Sequence, residues 1–581
     1  MNFNLFNSIP LLKPRKNAFK LSHNVKLTCE MGQLVPIFVQ DVLPSDRFKL
    51  SVSNIVRFAP LLAPIMSEVD VFFHFFFVPN RIIWSEWETF MTGSKNGRKL
   101  DEDQVPVPPR IVFDGSILNS ALKNGQNWAN DGHAPLTHGS LADYLGFQTF
   151  KSGITFNNGL YPLDELPFRA YYKIWSDWYR DENLIDDVLP DYIDNSGDRL
   201  ITNANLTDVE NLMQLRRRCW KKDYFTSALP FAQKGDDVLI PGSGVSAGDI
   251  FDSTRSALFE GTAVPHRSAS TTLSSIDDRD VRFSSPANSS SGKLKYPSVS
   301  SGSTVLGGGD ISFVTNTRIS GSSLNHLLSN SASASEGTIR ELRRAFAAQR
   351  FFERRAVGGT RYIEQNYAFF GVRSSDGRLQ RSEYLGGSRN PVVISQVLQT
   401  SEGTASSPLG TPAGNAVSAG GKYIFDRSFE EYGWIIGLMS IMPKPDYIQG
   451  IPKMFLRRDI YDYYWPQFAK IGEQPIENQE LYFSPTSNNN DGTFGYTPRY
   501  AEYRFRNNRV CGDFKDTLKF WTLARDFDAP QALNHSFVEC NPSDRIFAVS
   551  DAASADYNHL WCEIGLNVKS LRPLPKYGES M

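Results

Sequence analysis

The sequence predicts a mainly β protein, a sandwich whose strands come from distant parts of the chain and whose connections hold long insertions. Two observations support this prediction. Segments near both ends alternate apolar and polar residues with the period of a half-buried strand. Aromatic residues, which favour strands and interfaces, make up 13% of the chain.

Three strands are predicted in the first 80 residues. Segments 25–31 and 48–58 each alternate apolar with polar side chains, and a turn signal separates them. Segment 69–78 is apolar on both faces except at Asp70 and His74, so it should be covered on both faces, by a sandwich core or by a neighbouring subunit. We expect Asp70 and His74 to be satisfied in a buried or interfacial pair.

Helical spacing follows in three segments. Apolar residues at helical spacing predict a short helix over 81–91, after Asn80 as N-cap. Segment 164–185 places aromatic side chains on one face, which is typical of a core helix. Segment 338–357 begins with a capping-box pattern and stops at Gly358, which predicts a third helix.

Strand patterns return in the second half of the chain. Segment 360–372 has a strand-like pattern, and 401–421 is predicted to be a loop rich in Ser, Gly and Pro. Segment 432–445 predicts another strand that is covered on both faces, and 560–568 alternates clearly between apolar and polar residues. Strands at both ends therefore predict one sandwich that is closed by sequence-distant strands.

Composition limits the class of protein. The 581 residues carry a formal net charge of −2, so any contact with nucleic acid must come from local basic patches. Five widely spaced cysteines predict free buried thiols in a reducing compartment rather than a disulfide framework or a zinc ribbon. The N-terminus lacks the order of a signal peptide, and no apolar run approaches the ~20 residues of a membrane helix. We therefore expect a soluble chain without membrane insertion.

Two basic clusters are candidates for binding nucleic acid. The second cluster lies beside three aromatic residues. Single-stranded nucleic acid is typically bound by such a combination, because its phosphates pair with cations and its bases stack on rings. Five phosphate contacts there would give a log–log salt slope of about −3.5. The alternative for either cluster is a solvated or subunit-paired basic surface. The candidate residues are Lys13, Arg15 and Lys16 in the first cluster, and Arg216, Arg217, Arg218, Lys221 and Lys222 in the second, beside Trp220, Tyr224 and Phe225.

No active site is predicted, so the chain is not expected to be an enzyme. The sequence lacks HExxH, GxSxG and Walker-type motifs. His133 and His138 lack a third metal ligand, and acidic pairs such as Asp101/Asp103 and Asp186/Asp187 are interpreted as solvated loop charges. We predict no catalytic residue, no metal and no cofactor.

Residues 240–336 differ from the rest of the chain, because Ser, Gly and Asn dominate them and no period persists. This composition predicts either a disordered linker or a surface insertion. Strand-like pieces at 293–299 and 311–319 favour an ordered, adaptable projection.

Several long segments resemble the major capsid proteins of microviruses, small tailless icosahedral phages with single-stranded DNA, and most closely their gokushovirus-like branch. They occur in family order over most of the chain and leave out residues 240–336. Examples are VLPSDRFKLSVSNIVRFAPLLAPIM, HFFFVPNRIIWSEWETFMTG, KKDYFTSALPFAQKG and IIGLMSIMPKPDYIQGIPKMFLRRDIYDYYWPQFAKIGEQP.

The resemblance implies an eight-stranded antiparallel jelly-roll β-sandwich of the viral capsid type, with long helical and loop insertions. It also implies a homo-oligomeric T=1 icosahedral shell, with a circular single-stranded DNA genome against its inner surface. Small DNA-binding, pilot or internal scaffolding phage proteins and a bacterial surface receptor are the implied partners. The virion, assembled in the host cytoplasm, is the implied location. The open alternative is a β-sandwich carbohydrate-binding or carbohydrate-active protein, because the chain is rich in aromatic residues and acidic loops.

The resemblance also implies that the variable insertion 240–336 forms a protrusion on the shell that attaches to the host. The predicted organisation of the whole chain has five parts. The parts are an N-terminal arm (1–22), the first jelly-roll strands (23–92), inserted helices and loops (93–239), the Ser/Gly-rich surface insertion (240–336), and a helix, loops and the closing jelly-roll strands (337–581).

Overall fold

The structure is a computed structural model in which the chain divides into two compact units, residues 1–234 with 353–581, and residues 235–352. It describes residues 15–92, 106–115, 117–118, 136–151, 156–157, 159–187, 190–202, 206–235, 293–295, 310–312, 339–373, 375–398, 412–486, 489–548 and 558–577.

Strands are the main regular structure of the described residues. They are β1 (Asn17–Lys20), β2 (His23–Cys29), β3 (Val35–Val42), β4 (Arg47–Phe58), β5 (Val69–Pro79), β6 (Arg110–Asp114), β7 (Leu160–Asp164), β8 (Asp198–Ile201), β9 (Lys293–Lys295), β10 (Asp310–Ser312), β11 (Glu383–Pro391), β12 (Val393–Leu398), β13 (Pro412–Ser428), β14 (Gly433–Pro443), β15 (Asp446–Tyr447), β16 (Glu473–Glu477), β17 (Thr493–Pro498), β18 (Asn508–Arg509) and β19 (Leu560–Arg572).

Helices lie mainly in the connections between these strands. They are α1 (Asn80–Ile83), α2 (Trp87–Thr92), α3 (Leu141–Leu145), α4 (Leu166–Trp178), α5 (Pro190–Ile193), α6 (Leu206–Met213), α7 (Ile339–Val357), α8 (Tyr362–Phe370), α9 (Asn478–Leu481) and α10 (His535–Val538). Short 3₁₀ turns are Lys453–Phe455, Ile460–Asp462, Ala501–Tyr503, Gly512–Lys515 and Lys519–Trp521.

Two antiparallel sheets form the sandwich. In the first, β1 and β2 both pair with β19, and the order continues through β4 and β13 to β12. In the second, the order is β11–β5–β14–β3. Along the chain, β2, β3, β4 and β5 alternate between the two sheets, and β19 returns from the far end of the sequence to lie between β2 and β4. This is the pairing order of a jelly roll, which the family resemblance implies, and it closes the sandwich with a sequence-distant strand, as the strand patterns predict.

The main core lies between the two sheets. Phe48 and Leu50 of β4, Phe73 of β5 and Ile564 of β19 are fully buried there. Burying each such side chain contributes about 1.5–3 kcal/mol. On β4 and β19 the alternate residues face solvent, which confirms the predicted two-faced pattern of 48–58 and 560–568.

The central strands of the second sheet, β5 and β14, are buried on both faces. Phe76 of β5 and Ile436 of β14 point away from the main core into a second core, which includes Trp84 and the α4 residues Tyr171 and Trp175. This confirms the covered strands predicted at 69–78 and 432–445 and the core face predicted for 164–185. Because α4 belongs to the same chain, the cover does not require a neighbouring subunit.

The first 80 residues differ from prediction because β3 is an additional strand. Residues 31–38 are buried, and β3 pairs with β14 at the edge of the second sheet. Pro36 and the polar pair Gln40 and Asp41 interrupt its alternation, which hid the strand in the sequence. The predicted helix over 81–91 is two short helices, α1 and α2.

Two predictions in the second half of the chain were wrong. The strand-like segment 360–372 contains the helix α8, because Glu364 accepts a hydrogen bond from the Arg361 N–H at 3.1 Å and Gly371 ends the helix with φ 71°. The loop predicted at 401–421 overlaps β13, which begins at residue 412. Its small residues allow close approach, since a Cβ at Gly414 would lie 2.5 Å from the Ala63 carbonyl oxygen.

The insertions have small sheets of their own. β6 pairs with β7 and β8, β16 pairs with β17, and β15 pairs with β18. In the unit 235–352, β9 and β10 pair within the segments predicted to be strand-like, and most of the predicted insertion 240–336 lies outside the described residues. Helix α7 confirms the helix predicted at 338–357, and Thr338 of its capping box is outside the described residues.

The five cysteines are all free. Cys29, Cys540 and Cys562 are buried as expected, Cys219 is partly buried, and Cys511 is exposed. No helix among the described residues is both long and apolar enough to span a bilayer.

Candidate nucleic-acid and assembly surfaces

The basic segment 216–222 is built into the sandwich rather than presented on a loop. The Arg218 N–H donates to the Gly32 carbonyl at 2.7 Å, and the Arg218 carbonyl accepts from the Cys540 N–H at 2.9 Å. The segment therefore joins the turn before β3 to the insertion between β14 and β19. Its backbone position is set by both.

The three arginines of this segment make internal contacts. The Arg216 guanidinium lies 4.6 Å from the centre of the Trp175 ring, and Arg217 donates to the Met31 carbonyl at 2.9 Å. Arg218 donates to the Ser440 hydroxyl at 3.2 Å and lies 4.6 Å from the centre of the Phe72 ring. All three side chains are partly buried, so their charges contribute to packing inside the chain.

The two lysines are exposed. The Lys222 ammonium donates to the Asp181 carboxylate and to the Thr226 carbonyl, the latter at 3.0 Å. The Lys221 carbonyl accepts from the Thr226 hydroxyl at 3.1 Å, whereas its ammonium has no hydrogen bond or ion pair within the described residues and the side chain is exposed. Of the segment's five cations, Lys221 is therefore the most accessible to an anionic ligand.

The aromatic residues beside this cluster are buried. Trp220, Tyr224 and Phe225 are 4%, 6% and 4% exposed. The Tyr224 hydroxyl donates to Glu480 Oε2 at 2.9 Å, and the Arg525 guanidinium lies 5.3 Å from the centre of the Trp220 ring. These rings are occupied by protein contacts, so in this conformation bases cannot stack on them.

The described part of the N-terminal arm extends the first sheet. Strand β1 pairs with the end of β19, and the Lys16 ammonium donates to the Ser45 carbonyl at 2.6 Å. Arg15 is exposed, and Lys13 lies outside the described residues.

An exposed aromatic surface, which sequence reasoning missed, lies on the insertion between β14 and β19. Arg457 packs between two of its rings, 5.0 Å from Tyr463 and 4.7 Å from Tyr503. Large exposed apolar patches mark interaction sites in soluble proteins. The dense run FLRRDIYDYYWPQF was the available signal. The members of this aromatic surface, 41–66% exposed, are Phe455, Tyr461, Tyr463, Tyr464, Trp465, Tyr503 and Phe505.

Asp70 and His74 are each satisfied, but not by one another. Asp70 forms an ion pair with Arg389 at 2.6 Å, and His74 Nδ1 lies 2.7 Å from the Tyr179 hydroxyl. Burial, followed by the charge of Arg218, lowers the pKa of His74 to about 4.

Among the described residues, one group of three could in principle hold a cation. The ligand atoms of Glu30, Asp544 and His559 lie within 4.8 Å of one another. Glu30 Oε1 already accepts from the His559 N–H at 2.7 Å and lies 2.8 Å from its Nδ1, and burial raises the Glu30 pKa. These contacts are those of a hydrogen-bonded pair.

Two of the residues that the sequence offers as a metal ligand or a catalytic carboxylate, His138 and Asp187, make ordinary contacts within the protein. His138 Nδ1 lies 3.1 Å from the Thr149 hydroxyl, and Asp187 accepts from the Ser176 hydroxyl at 2.9 Å. His133, Asp101 and Asp103 lie outside the described residues.

The jelly-roll sandwich is an architecture that viral capsid proteins share with lectins and cupins, and the exposed aromatic surface on its long insertion is of the kind that marks an interaction site. Over residues 8–581 the chain matches the family model described as "Capsid protein (F protein)". The chain therefore belongs to the phage capsid protein family.

Three phage capsid proteins are similar to this chain over nearly their whole length. The chain is 33% identical to the capsid protein VP1 of Chlamydia phage 1, over 99% of this chain and 97% of that protein. It is 31% identical to the capsid protein VP1 of Bdellovibrio phage phiMH2K, with the same coverage, and 28% identical to that of Spiroplasma virus 4, over 99% and 96%. The chain is a structural component of a phage virion, forms a homo-oligomeric shell and is not an enzyme. The comparisons do not favour the carbohydrate-binding alternative.

Proposed function

We propose that this chain assembles into a T=1 icosahedral shell that encloses a circular single-stranded DNA genome. The observation that supports this most strongly is the match to the capsid family across residues 8–581, together with a sandwich closed by its last strand. Electron microscopy of purified particles, reconstructed without imposed symmetry, tests the proposal. Closed particles of 60 subunits are expected, and dispersed monomers or open sheets would contradict it.

The aromatic surface supports subunit contact. A second copy is the fitting occupant, because a shell buries large apolar areas between identical chains and this chain carries almost no net charge to oppose close packing. The double variant Phe455→Ser with Tyr464→Ser should reduce particle yield at least tenfold while the subunit stays folded. Tyr577→Ser, which also changes an exposed ring, serves as the control and should assemble normally.

The basic residues are proposed to contact the genome. Lys13, Arg15 and Lys16 belong to the predicted N-terminal arm, and Lys221 and Lys222 are exposed. Contributions of Arg216, Arg217 and Arg218 would require their internal contacts to open. Replacing Lys13, Arg15 and Lys16 by Gln should make DNA release from particles occur at lower salt. Unchanged genome content and salt sensitivity would rule the arm out.

The insertion 240–336 is proposed to form a surface protrusion that attaches to a bacterial host receptor, and helper proteins of the phage are proposed to assist assembly in the host cytoplasm. The Ser- and Gly-rich composition of the insertion suits an adaptable recognition surface. Phage that lack 240–336 should form intact particles that no longer adsorb. Normal adsorption by those particles would contradict the attachment role.

A further inference from the structure

The outward face of the first sheet is strongly basic. On β4 and β19, alternate side chains enter the core, and the others face solvent. Residues of β1, β2 and β13 that stand directly opposite these solvent-facing residues belong to the same face. Glu563 and Asp426 are its acidic members, so six basic and two acidic side chains leave a net charge of +4. The exposed basic residues of this face are Lys20, Lys26, Arg47, Lys49, Arg57 and Lys569.

Three of these lysines stand directly opposite one another on adjacent strands. Lys20 of β1 pairs in register with Lys569 of β19, and Lys569 pairs with Lys49 of β4. Neighbouring strands are about 4.8 Å apart, so the three side chains form a row, which we call the lysine ladder. Like charges directly opposite on a sheet are destabilising. The ladder therefore has an unfavourable charge arrangement that an anionic ligand would relieve.

The acidic residues of this face neutralise the ladder only in part. Asp426 accepts from Arg47 at 2.7 Å, in a bidentate pair, although it is in register with Lys49. Glu563 is in register with Lys26, on the other part of the face. The ladder thus keeps most of its positive charge.

Exposed rings accompany these cations. Tyr423 is 50% exposed and lies 5.4 Å from the Lys49 ammonium, measured to the ring centre. Trp561 is 42% exposed and is in register with Arg57. Cations that can meet phosphates, beside rings on which bases can stack, are the features of a single-stranded nucleic-acid surface. The buried rings of Trp220, Tyr224 and Phe225 do not offer this combination.

We propose that the lysine ladder and its neighbouring rings bind the phosphate backbone of single-stranded DNA, so that the outward face of the first sheet lines the interior of the shell. This inference rests on the proposed function, because it assigns a surface to the genome that the shell encloses. Lysine suits the role, since its ammonium meets phosphates as a point charge without a fixed geometry.

The test uses the full-length protein and a fluorescent oligothymidylate, with affinity measured against NaCl concentration. The triple variant Lys20→Gln, Lys49→Gln, Lys569→Gln should reduce the log–log salt slope by about 2, at about 0.7 per phosphate contact. Lys422→Gln is the matched control. It lies on the same sheet but is in register with the core residue Val52, so it should leave the slope unchanged.

Three outcomes would overturn the inference. A triple variant with the wild-type slope shows that DNA binds elsewhere, and the shell proposal then stands. Polyglutamate, measured in the same way, serves as a second probe. A triple variant that loses affinity for polyglutamate but keeps the wild-type salt slope for DNA identifies an acidic protein segment as the ligand. Wild-type protein that binds no oligothymidylate refutes the DNA part of the proposed function as well, whereas closed particles in the microscope would preserve the shell itself.

Discussion

His74 Nδ1 lies 2.7 Å from the hydroxyl of Tyr179. His74 belongs to β5 of the sandwich, and Tyr179 directly follows α4 of the insertion that covers it. The two rings are stacked with their centres 6.1 Å apart, and the Arg218 guanidinium lies 5.6 Å from the centre of the Tyr179 ring. This contact therefore connects the capsid sandwich, its helical cover and the basic segment at one buried point.

The first prediction concerns acid stability at this contact. Because the folded pKa of His74 is lowered to about 4, the unfolded chain binds more protons than the folded chain between pH 6.5 and pH 4. The free energy of unfolding is therefore highest above pH 6.5 and decreases as the pH falls towards 4, by up to about 3 kcal/mol. Denaturant unfolding should show this loss in the wild type and a smaller one in His74→Gln. Identical pH profiles would contradict it.

The second prediction has the opposite sign. Burial raises the pKa of Glu473 to about 7, and no hydrogen-bond partner of its Oε2 is found among the described residues. The contribution of Glu473 to the free energy of unfolding is therefore fully present below about pH 4.5, and it is lost as the pH rises through 7. Since the side chain is partly solvated, we expect about 1 kcal/mol. Glu473→Gln should remove this dependence and be more stable than the wild type at pH 8. A variant that is less stable at pH 8 would show that the charge is favourably paired.

The third prediction compares a buried ion pair with an exposed one. Arg169 and Glu165 are 0% and 1% exposed, and Arg169 also donates to the carbonyls of Ile83 and Asn195 at 3.0 and 3.2 Å. Arg199 Nη2 also donates to Glu165 Oε1 at 3.0 Å, so the carboxylate keeps one partner when Arg169 is removed. Arg169→Ala should still lower the free energy of unfolding by about 3 kcal/mol, because the two carbonyls lose their donor and Glu165 loses one of its two cations.

Arg47→Ala is the control for that measurement. Arg47 is 53% exposed in its pair with Asp426, so its removal should cost less than about 1 kcal/mol. Equal losses in the two variants would show that burial does not determine the strength of these pairs.

The fourth prediction separates packing from nucleic-acid contact in segment 216–222. Arg218→Ala should lower the free energy of unfolding by about 2 kcal/mol, because it removes the Phe72 contact and the hydrogen bond to Ser440. Lys221→Gln should leave stability within about 0.5 kcal/mol, since that side chain is exposed. Thermal or denaturant unfolding of both variants measures this. An Arg218→Ala variant of wild-type stability would instead favour a direct role in binding.

The strands with a strong pattern were predictable from sequence. Segments 48–58 and 560–568 alternate because one side of each strand enters the core and the other meets solvent. Segments 69–78 and 432–445 are mostly apolar on both sides of the strand because each face meets a different core. In contrast, β3 and β13 carry weak patterns, since pairing with β14 and β4 supplies the stability that their composition does not indicate.

The candidate sites were less predictable than the fold. A run of basic and aromatic residues has the same appearance in sequence whether it faces solvent or packs inside. In and beside segment 216–222, the rings of Trp220, Tyr224 and Phe225 are buried and the three arginines are partly buried. Of its five cations, only the two lysines are exposed. The lysine ladder places Lys569 between Lys20 and Lys49, which lie more than 500 residues before it in the sequence, so no local motif could reveal it.

The sequence by itself determined that this chain is a β-sandwich of the capsid type, because the two-residue period and the long family-like segments are local properties. Tertiary structure alone decided which charges share a face and which rings remain open to a ligand. Those properties depend on register and on the order of strands in each sheet. In this fold, the pairing of β19 with β1 and β4 brings the two ends of the chain together and sets the charge of the surface that they share.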